Sequence, residues 1–485
     1  MIDSLLRHSV TYGLTNIVAR GSLLVSLLVL AGILGPTDYG ALAMLTLVGT
    51  LAALVVTLQV SQGLARYYTG SKDEGERTAF ASSAWWFTLA GQLMFLVVCQ
   101  AFAPWLIDRV LGSRAYLGAF RIALVVMVFN GLFLFIQAQF RSAFRPRDFV
   151  IVSLIYSLFA PGLSIALAMA APVPIEGAFL GQAVGTAAAV AWGGWRLRGQ
   201  LLHPISRSHL RQMLAFAVPL VPASLAVSML AYAPRIALND LSSLAAVGVF
   251  AFAAQIGTVS TLAVVGLQAA MTPLITAHHA EPGTPAAIGR VFEAFCAAGL
   301  LLCLALGLFA ADAIAWRGDP AYAAAGPLVM MLAPAALLVE MYIFAPGFWI
   351  AKRTSLQAVV SIVSGLLALA LAYLLIGAFG LFGAAIGSLG SAAAFSLAWW
   401  MLSDRFYPVP VRWGRIILFV TATVSGSIAA LVLTTPGTVL AVAAKLAVMA
   451  AGAALAVAID LVPWRDGMRA LARIAGREPP PSAAL

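Results

Sequence analysis

The sequence predicts an all-α integral membrane protein of about fourteen transmembrane helices: two parallel six-helix bundles related by a pseudo-two-fold axis along the membrane normal, plus two extra C-terminal helices. Three observations predict it. Fourteen predominantly apolar stretches fill the 485 residues, with 62% hydrophobic and only 9% charged residues, against roughly 25% charged in a soluble domain. Basic residues fall mainly in alternate gaps between the stretches. The two halves carry matching residues at offsets of 206 and 208.

Each stretch is long enough to cross a hydrocarbon core of about 30 Å at ~1.5 Å rise per residue. Backbone groups cannot stay unpaired in lipid, and the period is not that of barrel strands, so the stretches are helices. Span one (12–34) follows a polar, amphipathic Met1–Val10 with no cleavable signal, and span two (41–63) ends before Arg66, Lys72 and Arg77. Span three (80–103) leads to Arg109 and Arg114, and span four (118–139) to Arg141, Arg145 and Arg147. Span five (149–171) joins span six (177–197) through a very short connection. Arg196, Arg198, Arg207 and Arg211 then surround the polar stretch Gly199 to Leu214. Span seven (214–238) and span eight (246–276), long and expected to bend at its glycines, precede Arg290. Spans nine (291–315) and ten (326–349) flank Arg317, and Lys352 and Arg353 follow span ten. Spans eleven (356–376) and twelve (380–402) end before Arg405, Arg412 and Arg415. Spans thirteen (412–433) and fourteen (438–461) precede a tail with Arg465, Arg469, Arg473 and Arg477.

The gaps richest in Arg and Lys alternate, which by the positive-inside rule places both termini in the cytoplasm. The net charge of +10 is therefore a signature of topology and of anionic membrane lipids, not of nucleic acid. Trp85, Trp86, Trp192, Trp195, Trp349, Trp399 and Trp400 lie near the expected cytoplasmic span ends, as an interfacial belt requires. The resulting division is 1–200 (first six-helix lobe), 201–213 (cytoplasmic linker), 214–405 (second lobe), 406–463 (helices thirteen and fourteen) and 464–485 (cytoplasmic tail).

Cys99, Cys296 and Cys303 sit inside apolar spans without CxxC spacing or a neighbouring His, so neither disulfide nor metal is expected. No cofactor is implied. No gap is long enough for a soluble domain, and GxSxG, Walker, HExxH and paired-carboxylate patterns are absent, which disfavours an enzyme. Gly177, Ala178, Gly181, Ala187 and Ala188 recur as Gly383, Ala384, Gly387, Ala393 and Ala394 at an offset of 206. Tyr39–Ala43 resembles Val247–Ala251 at 208. Six spans per copy are even in number, so the second copy enters with the orientation of the first.

Leu34, Gly35, Pro36, Thr37, Asp38, Tyr39, Gly40, then Gly63, Leu64, Ala65, Arg66, Tyr67, Tyr68 resemble the polysaccharide flippase family. So do Phe216 to Pro222 opening span seven and Ala246 to Phe250 opening span eight. That family stands with lipid II flippases and multidrug and toxin extrusion (MATE) proteins in one exporter superfamily. The resemblance implies two lobes around a central cavity that turn a polyprenyl-diphosphate-linked oligosaccharide, an O-antigen or exopolysaccharide repeat unit, across the bacterial cytoplasmic membrane by alternating access. It also implies glycosyltransferases and a polysaccharide polymerase as neighbours in the pathway. Family members often carry an Asp-Arg pair late in span seven, whereas here Pro234 precedes Arg235.

The residues themselves supply candidates for the site. Arg20 lies a third of the way into span one, where an Arg costs about 2.5–3.5 kcal/mol unless paired or hydrated. The 208-residue offset sets Arg235 opposite Leu27, well inside the membrane. Guanidinium forks suit a diphosphate. Arg66 and Lys352, at the cytoplasmic mouths, are further substrate ligands or simple topology determinants. Arg121 and Lys445, near outer span ends, are expected to snorkel. Glu340 in span ten is an ion-coupling carboxylate or the partner of a neighbouring Arg, and Glu293 lies nearer a span end. Asn16, Gln59, Asn130, Gln137 and Gln182 line a sugar path or bond helix to helix. A MATE-like ion-coupled drug antiporter is the alternative reading; a membrane glycosyltransferase or polysaccharide ligase is more remote, because the gaps are too short for catalytic loops.

Overall fold

Glycine and proline corners cut this chain into long helices. The computed structural model describes the backbone of residues 2–462 except 263, 265–266, 269–270, 272–274, 276–277, 317–319 and 434–438, and the side chains of the same residues except 2–20, 23, 431–433 and 439. Its α-helices are α1 (Ile2–Val56), α2 (Val60–Gly70), α3 (Glu74–Ala101), α4 (Ala103–Val110), α5 (Leu117–Ser142), α6 (Pro146–Ala170), α7 (Pro174–Leu201) and α8 (Arg207–Ala217). There follow α9 (Val221–Leu241), α10 (Leu244–Gly257), α11 (Thr284–Trp316), α12 (Ala325–Glu340), α13 (Gly347–Ile350), α14 (Thr354–Asp404), α15 (Trp413–Leu433) and α16 (Val439–Ala458).

Eleven helical stretches among the described residues are long and apolar enough to cross a membrane, and no strand occurs among them. Two of the eleven are broken by a glycine outside the helical region: α1 at Gly35 (φ 69°, ψ 170°) and α14 at Gly380 (φ 54°, ψ −131°), backbone values that only glycine adopts without strain. The Gly35 break falls between the stretches expected as spans one and two, and the Gly380 break at the first residue of span twelve. Helix α7, expected as span six, is 28 residues long and rich in small residues rather than strongly apolar ones. The span expected to bend at its glycines passes at Gly257 from α10 into a 3-10 turn, Thr258–Thr261. Local signals set other boundaries. The Asp73 carboxylate caps α3 by accepting from Glu76 N at 2.8 Å, Ser243 caps α10 through Ala246 N at 3.2 Å, and Pro146 and Pro174 open α6 and α7, where a missing N–H costs nothing.

Small residues let helices meet backbone to backbone. A methyl placed on Gly40 of α1 would fall on the Leu244 carbonyl of α10, and one on Gly248 of α10 would fall on the Pro36 carbonyl of α1. This is one contact made twice, by residues 208 apart. The α6–α7 hairpin sets Gly177 and Gly181 against the carbonyls of Leu167 and Leu163; across the Gly380 corner, Gly383 and Gly387 face those of Leu375 and Leu371. The first helix of each hairpin thus keeps the offset of 208, and the second has 206, so two residues are missing from the second connection.

Helix α8 begins inside the stretch read as a linker and packs against α2 and α3 of the N-terminal half. His209 meets Phe80 edge-on at 4.5 Å, Phe216 lies under the Arg66 guanidinium at 4.4 Å, and Ser206 N donates to Ser83 Oγ at 2.8 Å. The chain then breaks through the 3-10 turn Val218–Leu220, which contains Pro219, and Pro222 opens α9 before α9 packs on α14.

Ion pairs tie the remaining pieces together. The buried Asp148 carboxylate accepts from Arg145 Nε at 2.7 Å and Arg196 Nε at 2.9 Å, joining α6 to α7. Glu293 of α11 pairs with Arg412, which also reaches Asp460 at 2.9 Å. Lys445 does not snorkel: it is 5% exposed and paired with Asp312 of α11, because α16 turns it toward α11 rather than to the interface. Arg121 is exposed. Helices α15 and α16 are therefore pinned to α11 at two levels.

Candidate functional site

Three cavities run along α1 and α2. The largest, about 620 Å³, is walled by Leu24 and Thr50 from the N-terminal half and by α9, α10, α12 and α14 from the other. Arg235 and Glu340 both line it. Arg235 sits on α9 with its guanidinium carbon 5.5 Å from the Tyr232 ring centroid, a cation–π contact. Its Nε is buried without a hydrogen-bond partner, and no carboxylate pairs with it among the described residues. The preceding Pro234 lies inside α9, where its missing N–H frees the carbonyl of Leu230, itself in the cavity wall. A cation in a helical span without an anionic partner is costly, so the cavity supplies a place for an anion.

Glu340 ends α12, and Gln268 Nε2 donates to its Oε2 at 3.2 Å. A carboxylate at a helix C-terminus opposes the helix dipole by about 0.3–1 kcal/mol, so helix stability does not account for it. The helix breaks there into a 3-10 turn, Met341–Phe344, and the broken turn is satisfied from α14: Ser396 Oγ donates to Leu338 O at 2.7 Å, and Trp399 Nε1 and Ser403 Oγ donate to Ala345 O at 3.2 and 2.8 Å. The two charges share the cavity without forming an ion pair.

The second cavity, about 380 Å³, lies within the N-terminal half between α1, α5, α6 and α7. It shares Thr50 with the first. Asn130, Tyr156 and Gln182 line it, and no ionised side chain does. The third, about 370 Å³, meets the second at Ala53 and Leu54 and is lined by Gln59, Gln62 and Arg141 among others.

Of the residues singled out in the sequence, Arg235 and Glu340 come together in one cavity. Gln59 lies in the third cavity, in a left-handed conformation (φ 56°) just before α2. Arg66 is exposed at the junction with α8, and Lys352 is exposed in the turn after α13 with φ 54°. Neither lines any of the three cavities. The side chains of Asn16 and Arg20 lie outside the described residues. Tyr156, Gln255 and Thr258 line cavities without having been singled out; their residue types are too common in apolar spans to be a signal. Arg235 was legible because a repeat offset moved it away from a span end.

The family model described as polysaccharide biosynthesis protein matches residues 5–279. No curated protein matches the chain. Among solved structures, the lipid II flippase MurJ in an inward closed conformation is similar at a TM-score of 0.70 and 12% identity, covering 94% of this chain and 99% of that one. An inward-facing multidrug resistance MATE family transporter of the MOP superfamily is similar at 0.64 and 14% identity, covering 80% of this chain and 95% of that one. At such identities the likeness is one of fold.

Proposed function

The chain belongs to the polysaccharide biosynthesis protein family, and from that premise we propose that it is a flippase that moves a polyprenyl-diphosphate-linked oligosaccharide across the bacterial cytoplasmic membrane by alternating access. The observation that carries this reading is the guanidinium of Arg235, its Nε buried without a hydrogen-bond partner, in a cavity walled by both halves of the chain. A diphosphate supplies the anionic partner that Arg235 lacks, and the guanidinium fork binds its oxygens bidentately.

The architecture proposed with it is fourteen spans in two parallel six-helix bundles, 1–200 and 214–405, with helices thirteen and fourteen appended and both termini cytoplasmic. The reciprocal Gly40 and Gly248 contact and the paired hairpins support a two-fold relation, and the alternation of basic gaps supports the orientation. Glu340 is the proposed ion-coupling carboxylate, and Arg20 stays a second phosphate ligand on its cost in span one. The proposed partners are the glycosyltransferases that build the cargo and the polymerase that consumes it.

The test is translocation of lipid-linked oligosaccharide in vesicles, read by a membrane-impermeant glycan reagent. Arg235→Gln is expected to slow it on the order of ten- to a hundredfold, since a charge-assisted hydrogen bond is worth about 1.5–3 kcal/mol. Arg235→Lys restores only part, because it keeps the charge without the fork. An unchanged rate for Arg235→Gln at equal folded protein rejects the reading. A cation–drug antiporter is the second reading, favoured by a carboxylate, Glu340, in the same cavity; drug efflux lost in Glu340→Gln, with lipid translocation absent in the unmutated chain, would select it.

A further inference from the structure

Five amides in apolar spans stood out in the sequence, and the structure separates those whose side chains are described, all but Asn16. Gln137 Nε2 donates to Ser153 Oγ at 3.0 Å, tying α5 to α6. The side chains of Asn130 of α5 and Gln182 of α7 make no protein hydrogen bond among the described residues, and neither does the Tyr156 hydroxyl of α6. All three line the cavity inside the N-terminal half. Polar groups in adjacent membrane helices ordinarily find one another. Here three helices each bring one to a shared space and leave it unpaired.

We propose that this cavity is a glycan subsite: it takes an uncharged, hydroxyl-rich sugar unit of the cargo, with Asn130, Gln182 and Tyr156 as its hydrogen-bonding ligands. The proposal rests on the flippase reading and deepens it by placing the sugar apart from the diphosphate at Arg235. The two cavities share Thr50 in their walls, so one bipartite ligand reaches both. At about 380 Å³ the space lies within the ~300–1,000 Å³ of ligand pockets. Two amides and a phenol supply donors and acceptors together, which suits alcohol and amide groups that are also both. Tyr156 stacks on Phe133, another wall residue, with centroids 4.2 Å apart and planes 16° apart, so its ring is fixed before any ligand arrives.

Two other occupants fit less well. A polyprenyl or acyl chain suits the largely apolar wall, but it would leave three polar groups unsatisfied whenever it displaced water from them. An ionised sugar finds no counter-charge, since none of the wall residues is charged.

The test uses the purified full chain in lipid nanodiscs and two probes: polyprenyl diphosphate alone, and the pool of polyprenyl-diphosphate-linked oligosaccharides extracted from the cells that make the protein. Binding of each is read by native mass spectrometry. The unmutated chain is expected to prefer a glycosylated species. Asn130→Leu and Gln182→Leu are each expected to weaken that species about tenfold, as loss of a ligand hydrogen bond does, and to leave the bare lipid unchanged. Because neither side chain bonds to protein, neither variant should lower the thermal midpoint, whereas Gln137→Leu should.

Equal loss for both probes, or loss for neither, overturns the subsite. Tighter binding of both probes by Gln182→Leu also overturns it, by assigning the space to the lipid chain. A glycosylated species that the unmutated chain binds no better than bare lipid overturns the subsite while leaving Arg235 as the phosphate ligand. Binding of neither probe overturns the flippase reading itself.

Discussion

The walls of the two larger cavities share corresponding positions: Leu42 with Phe250, Thr50 with Thr258 and Leu54 with Leu262 at an offset of 208, Gln182 with Ser388 at 206. Where the first cavity has Leu27 the second has Arg235. Where the first half carries Leu132 inside the unbroken α5, the second carries Glu340 at the broken end of α12. Corresponding positions thus carry different chemistry, one cavity without a charged side chain and the other with two. On the proposed flippase reading, equal cavities would hold a bipartite cargo either way round, and unequal ones would hold it one way.

Moving the charge is the largest test of that division. Arg235→Leu makes the second cavity resemble the first at this position and is expected to reduce translocation roughly a hundredfold, the upper end of what a charge-assisted contact supplies. Adding Leu27→Arg returns a guanidinium to the corresponding place in the neutral cavity. Restored transport in the double variant would show the two cavities to be interchangeable; the expected result is no rescue, with folded protein verified by size-exclusion chromatography.

The paired hairpins offer a smaller test, in stability. A methyl on Gly181 would fall on the Leu163 carbonyl, whereas one on Gly387 would lie an ordinary 3.4 Å from the Leu371 carbonyl. Gly181→Ala is expected to destabilise by roughly 1–3 kcal/mol through overpacking. Gly387→Ala should be neutral or stabilising by up to about 1 kcal/mol, since alanine is the better helix former. Thermal unfolding in detergent measures both, and equal losses would mean that the two hairpins are packed alike.

The helical class was legible because lipid leaves a backbone few options, and the repeat was legible because close helix contacts demand small residues at fixed places. Arg235 followed from the two together. The roles of the amides were not legible: Gln137 and Gln182 differ only in whether a neighbour meets them, and that depends on helix rotation, which an apolar pattern does not encode. Lys445 was misjudged for the same reason, since Asp312 lies 133 residues away and nothing local announces it. Helix α8 was hidden by its polarity, which a linker shares.

The appended helices attach to the half that bears the cavity charges, and their tie separates a buried carboxylate from an exposed one on the same Arg. Glu293 has 3% of its side chain exposed and Asp460 64%, and both bind Arg412. Asp460 is held below the usual carboxylate range by Arg412 and then Arg415. A depressed value means that its contribution is complete above the unfolded value near 4 and is lost only as pH falls through the lower folded value. The thermal midpoint should therefore show no loss from this pair between pH 7 and pH 5. Solvent screens the exposed pair, so Asp460→Asn should shift the midpoint less than Glu293→Gln, which is expected to cost about 1 kcal/mol or more by leaving a buried contact incomplete. Equal shifts would show that Arg412 holds the appended pair through both carboxylates alike, and the division between buried and exposed charge would not extend to this edge of the molecule.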